Sequence, residues 1–101
     1  MVIKVDTPLK NMEGAVMKDM IDGEAVDATL RMAMVNAILS PVEKESGTEK
    51  VKKYELAKKI HNATDEVELS AEETTLIKGR VGEVFPVIIV GQVFDLLEGK
   101  E

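Results

Sequence analysis

The sequence predicts an α+β domain that is mostly helical, with an N-terminal β-hairpin and one short strand packed with three to four helices. The chain has 101 residues, of which 45% are hydrophobic and 32% charged. This length and mixture support one core and therefore a single domain over residues 1–101. Helix-start residues precede the longer apolar periodic stretches, whereas the strand-like runs are only about four residues long.

The N-terminal element is predicted to be a β-ribbon over residues 2–18. Its first strand, Val2 to Val5, is rich in β-branched residues, and Ala15 to Met17 follows a stretch that contains Asn11 and Gly14. A ribbon of two short strands has little stability in isolation. We therefore expect it to lie on the helices or to pair with another strand.

The first helix is predicted over residues 28–39, after a connection from Asp19 to Asp27 that turns at Asp22-Gly23. Asp27 is its expected N-cap, and Pro41 ends it. One apolar stripe follows helical spacing: Val26, Leu30, Met34, Ala37 and Ile38. We interpret Met20, Met32 and Met34 as core residues, with an adaptable binding surface as the alternative.

The second helix is predicted over residues 48–62, because Ser46 and Glu49 have the spacing of a capping box. Its buried side is predicted to hold Val51, Tyr54, Leu56, Ala57 and Ile60. The helix also carries the one basic patch of the sequence, formed by Lys50, Lys52, Lys53, Lys58 and Lys59. This patch is interpreted as a solvated face, or alternatively as a docking site for an acidic partner or phosphates.

The last third of the chain contains a short strand and a broken helix. Alternation predicts a strand over residues 66–69, and Ser70 with Glu73 predicts a capped helix over residues 71–84. Pro86 cannot donate a helical hydrogen bond, so we expect either a sharp kink near Phe85 or a second helix that follows over residues 86–98.

This final helix is apolar nearly all the way round, which a small domain cannot enclose on every side. We therefore expect it to mediate self-association into a homo-oligomer. The residues predicted to form this interface are Phe85, Ile89, Val90, Val93, Phe94 and Leu97.

The sequence offers no candidate catalytic, cofactor-binding or metal-binding residue, and we do not expect an enzyme. It contains no Cys, and His61, its single histidine, is interpreted as a residue at a helix end. The stretch from Asn62 to Glu73 resembles a degenerate EF-hand loop, but Val67 stands where the sharp turn needs glycine. A degenerate metal site or a small-ligand site is therefore kept only as a third hypothesis.

The composition also argues against nucleic acids and membranes as partners. The net charge is -6, and Tyr54, Phe85 and Phe94 are the only aromatic residues available for base stacking. The N-terminus lacks the apolar core of a signal peptide, and no apolar run approaches the roughly 20 residues that span a bilayer. We expect a cytoplasmic protein without general nucleic-acid binding.

The start VDTPLKNMEG and the ending ELSAEETTLIKGRVGEVFPVIIVGQVFDLLEG resemble small uncharacterised proteins encoded by tailed phages and prophages. This resemblance implies an accessory protein that binds or modulates a host or phage protein in the host cell cytoplasm. A component of the virion or of its assembly is the alternative, with the N-terminal ribbon adding a strand to a neighbouring subunit.

Overall fold

The computed structural model describes residues 1–21 and 23–99 and confirms the mostly helical α+β class. Within these residues the elements follow in the order β1 (Val2–Lys4), β2 (Lys18–Ile21), β3 (Glu24–Asp27), α1 (Leu30–Leu39), α2 (Gly47–Asn62), β4 (Glu66–Glu68), α3 (Ala71–Val84) and α4 (Val87–Leu97).

Helix α1 is the centre of the fold, because α2, α3 and α4 all pack against it. Its buried residues are Leu30, Ala33, Met34, Ala37 and Ile38, so the predicted stripe on this helix is confirmed from Leu30 onward. They belong to one core that also includes Ile3 and Val67 from the strands and Ile77 and Val93 from the later helices. The four helices thus share one apolar centre.

The strands form two antiparallel pairs, so the predicted ribbon over residues 2–18 is wrong. Strand β1 pairs with β4, which places Ile3 opposite Val67, and both side chains are buried. The first strand therefore joins the core through a distant partner, whereas the turn near Gly14 closes only an isolated bridge between Lys10 and Val16. Burial of apolar side chains outweighs the local turn.

The stretch from Asp19 to Asp27, predicted as a connection, is instead the hairpin of β2 and β3. Gly23, between the two strands, has φ +81°, a conformation that glycine adopts without a side-chain penalty. Asp22, the other residue of the predicted turn, lies outside the described residues. Asp27 ends β3 and pairs with Lys18, so its prediction as an N-cap is wrong.

Hydroxyl side chains cap the first three helices. Thr29 caps α1, and Ser46 and Ser70 cap α2 and α3 as predicted. At Ser70 the capping box is complete, because the Glu73 carboxylate accepts from the Ser70 backbone N–H at 2.8 Å. That hydrogen bond, assisted by Lys59, lowers the pKa of Glu73.

Two arginines fix the C-terminal ends of neighbouring helices. Arg31 of α1 donates to backbone carbonyls at the end of α2. Arg80 of α3 is buried and donates to the carbonyls of Ala37 and Ser40 at the end of α1, at 3.4 and 3.5 Å. Each guanidinium thus adds donors at a helix end, where the Ala37 and Ile60 carbonyls otherwise accept from the backbone N–H of the C-cap residue.

Helix α2 buries less than its periodicity predicts. Leu56, Ala57 and Ile60 are buried, but Val51 and Tyr54 are 60% and 56% exposed, so their predicted burial is wrong. The reason is direction around the helix axis, because at about 100° per residue Tyr54 points about 110° and Val51 about 170° away from the mean direction of the buried residues.

Candidate functional site

The candidate site is the surface formed by α4 and its junction with α3. The predicted break near Pro86 is confirmed, since Phe85 is the C-cap of α3 and Pro86 the N-cap of α4, both with extended backbone. Beyond the break α4 runs back along α3, where the Lys78 ammonium pairs with the Glu98 carboxylate at 2.9 Å. A proline thus converts one long apolar helix into two packed helices.

Two of the six predicted interface residues belong to the core. Val93 and Leu97 have no exposed surface, because they face the rest of the domain along one side of α4. Their assignment to a surface contact is therefore wrong. Their apolar character is explained by burial inside the same chain.

Two more of the predicted residues lie in an apolar cleft beside the junction. Phe85 and Ile89 are half-buried and line a cleft of about 230 Å³ together with Leu9, Met17 and Met32. Of the methionines considered as a binding surface, Met32 lies in this cleft and Met34 lies in the core. The side chain of Met20 lies outside what the structure describes.

The remaining two predicted residues, Val90 and Phe94, are half-buried at the border between the core and the solvent. The Lys78 ammonium lies 5.4 Å from the centroid of the Phe94 ring, within the distance of a cation–π contact. One face of this ring is therefore occupied by Lys78 of α3.

Val87, which the predicted interface omits, is the most exposed residue of α4, at 89%. It points about 120° from Val93 and about 80° from Leu97 around the helix axis, and it lies next to the half-buried Ile88 and the exposed Gly91. Helical geometry could have located it, because a residue six positions before Val93 points about 120° away from it. We call Val87, Ile88 and Gly91, with Val90 and Phe94 at their edge, the α4 outer face.

The α4 outer face carries no charge. From Val87 to Phe94 the sequence contains no ionisable residue, in a chain of net charge -6. The nearest acidic residues are Glu83, which pairs with Arg80, and Asp95 toward the C-terminal end of α4. An apolar surface without charge is suited to contact with another apolar surface and not to acid–base chemistry.

Other potential sites were compared with this surface. In the part of the chain that the structure describes, no cluster of His, Cys, Asp or Glu is placed to hold a metal ion; within the stretch compared with a calcium loop, Glu73 is engaged by Ser70 and Lys59. An open groove of about 660 Å³ between α2 and α3 has charges of both signs along its walls. Every helix within residues 1–21 and 23–99 is too short or too polar to cross a bilayer.

Comparison of the chain with family models, curated proteins and solved structures finds no match in any of the three. The function must therefore be inferred from the surfaces of the molecule itself.

Proposed function

We propose that this chain is a small phage-type accessory protein that acts by protein–protein interaction and self-associates through the α4 outer face. The observation that carries the proposal is the 89% exposure of Val87 within an uncharged stretch of eight residues. Exposed apolar surface of this kind is typical of contact sites. The cellular partner is a host or phage protein met in the host cytoplasm, and the proposal includes no catalytic step.

Electrostatics favour this face for self-association. Two copies of net charge -6 repel one another on average, and that repulsion is weakest where neither surface carries charge. In a two-fold symmetric dimer the same patch meets itself, so Val87 would lie near its symmetry mate. Gly91, with no Cβ, would allow the two helices to approach closely.

The test is sedimentation velocity of Val87→Asp at 10–100 μM protein, with Met12→Asp as the matched control because Met12 is 88% exposed. Burial of one unpaired carboxylate per subunit costs at least about 1–3 kcal/mol, so the dissociation constant should rise at least about 30-fold. We expect a wild-type oligomer, a Val87→Asp monomer and no effect of Met12→Asp. A monomeric wild type would contradict the proposal.

The alternative proposal, a virion or assembly component, is supported by the open edge of β1. The Leu69 N–H donates to the Met1 carbonyl at 2.8 Å, and the Val5 N–H donates to the Asp65 carbonyl at 3.0 Å. The odd-numbered residues along β1 therefore direct their backbone groups toward β4. The backbone groups of Val2 therefore point away from β4, where a neighbouring strand could add. Absence of the protein from purified particles would count against this role.

A further inference from the structure

We infer that a second surface, at the corner between α1 and α2, binds an acidic protein segment through apolar side chains. This surface comprises Leu39, Pro41, Val42, Lys50 and Tyr54, which line one pocket, and we call it the Tyr54 surface. The inference rests on the proposed function in that it treats the chain as a binding protein. It concerns a different face and a different partner from the α4 outer face.

The apolar part of the Tyr54 surface is largely exposed: Leu39 and Tyr54 are each 56% exposed. One face of the Tyr54 ring is contacted by the Lys58 ammonium, 5.0 Å from its centroid. A shallow pocket of about 220 Å³ lies between Leu39, Val42 and Tyr54. Tyrosine is enriched among residues that dominate binding energy, and the single Tyr of the sequence lies here.

The walls of this pocket are fixed by buried polar contacts. Glu45 and Lys53, whose side chains are only 6% and 13% exposed, form an ion pair that attaches the α1–α2 loop to α2. Arg80 holds the other end of the loop through the Ser40 carbonyl. A surface held in this way loses little conformational entropy when a partner binds.

Charge identifies the kind of partner. The charged residues that line the pocket are Glu45, Lys50 and Lys53, a net charge of +1 in a chain of net charge -6, and Lys53 is paired with Glu45. Lys50 lines the pocket and, among the described residues, it has no ion-pair partner. The complement to this surface is a segment with acidic residues around apolar anchors.

Protein is favoured over nucleic acid by the same residues. Leu39, Pro41 and Val42 offer apolar contacts that a phosphate backbone does not use, and Tyr54 is the one aromatic ring here for stacking. A partner with Leu, Ile or Phe side chains beside Asp or Glu would use both the pocket and Lys50.

The experiment is a display selection of random 12-residue peptides on the wild-type chain, followed by fluorescence anisotropy of the most enriched peptide. We expect enriched peptides to combine Asp or Glu with aliphatic or aromatic residues. Tyr54→Ala and Lys50→Glu should each weaken binding at least tenfold. The controls are Met12→Ala, which truncates an exposed side chain elsewhere, and Lys10→Glu, which reverses an exposed charge elsewhere. Each should alter peptide binding less than twofold. Circular dichroism of each variant checks that it is folded.

Several outcomes would overturn the inference: no enrichment, enrichment of peptides without acidic residues, binding lost in Val87→Asp but not in Tyr54→Ala, or equal competition by a 20-nucleotide single-stranded DNA. Dissociation of an oligomer by Tyr54→Ala would identify a second copy as the occupant and also overturn it. A monomeric chain that still binds acidic peptides through Tyr54 would refute self-association through α4 and leave this inference supported.

Discussion

Replacement of Arg31 by methionine tests how α2 is held against the rest of the fold. The guanidinium of Arg31 donates to four backbone carbonyls at 2.5–3.2 Å, those of Ile60, His61, Ala63 and Thr64. It also pairs with Asp6 at 3.2 Å. Methionine keeps much of the apolar length of the side chain and removes every donor, so the change isolates the polar contribution.

The expected loss follows from which carbonyls water can reach. The bonds to His61 and Thr64 are exposed, and water can replace them. Those to Ile60 and Ala63 are part-buried. The Ile60 carbonyl keeps the Ala63 N–H as a donor at 3.3 Å, whereas the Ala63 carbonyl loses its Arg31 donor, which costs about 1–3 kcal/mol. The exposed Asp6 pair adds at most about 1 kcal/mol. Arg31→Met should therefore lower the free energy of unfolding by about 1–4 kcal/mol, from a total of about 5–15 kcal/mol for a domain of this size.

The assay is urea unfolding followed by circular dichroism at 222 nm, with the urea dependence compared between variants. Asp6→Asn is the matched control and should cost less than about 1 kcal/mol, because it removes only the exposed ion pair. Arg31→Lys keeps the charge without the fork of donors and should restore less than half of the loss. Equal losses in Arg31→Met and Asp6→Asn, or a loss below about 0.5 kcal/mol in Arg31→Met, would refute the capping role.

Three further predictions concern single contacts. The Ser70 backbone N–H lowers the pKa of Glu73. The ionised Glu73 carboxylate therefore stabilises the fold fully above the ordinary carboxyl pKa, and this stabilisation disappears as pH falls through the lowered pKa. The free energy of unfolding of Glu73→Gln should vary less with pH on the acid side than that of the wild type. Gly82→Ala should raise the free energy of unfolding by about 0.5–1 kcal/mol in a thermal melt, because a Cβ there meets nothing within 4 Å. The Gln92 side-chain amide accepts from the Lys10 N–H at 2.7 Å and donates to the Lys10 carbonyl at 2.6 Å. Gln92→Ala should speed hydrogen exchange at the Lys10 amide, and unchanged exchange would contradict this pairing.

The helices near the C-terminus could be read from the sequence because their boundaries are local. A serine three residues before a glutamate satisfies backbone donors within one turn, which fixes the start at Ser70. Pro86 lacks an N–H and ends the helix by itself. The prediction of 71–84 agrees with α3, and the predicted 86–98 differs from α4 by one residue at each end.

The candidate site was only partly predictable because apolar character does not say which side of a helix is covered. The prediction treated α4 as apolar all round and included Val93 and Leu97, which the core covers, while it omitted Val87, which remains exposed. On α2 the same ambiguity had the opposite result, with Tyr54 assigned to the core and found in solvent. Periodicity gives the angle between residues but not the position of the neighbouring helix.

The sequence by itself determined the helix starts at Ser46 and Ser70 and the break at Pro86, since each depends on residues within about one turn. Only the tertiary structure decided that β1 pairs with β4, which is 62 residues or more away in sequence, and that the arginines of α1 and α3 cap neighbouring helices. It also decided which apolar residues form the core and which remain exposed. These outcomes depend on contacts between distant segments, where burial of apolar surface outweighs local preference.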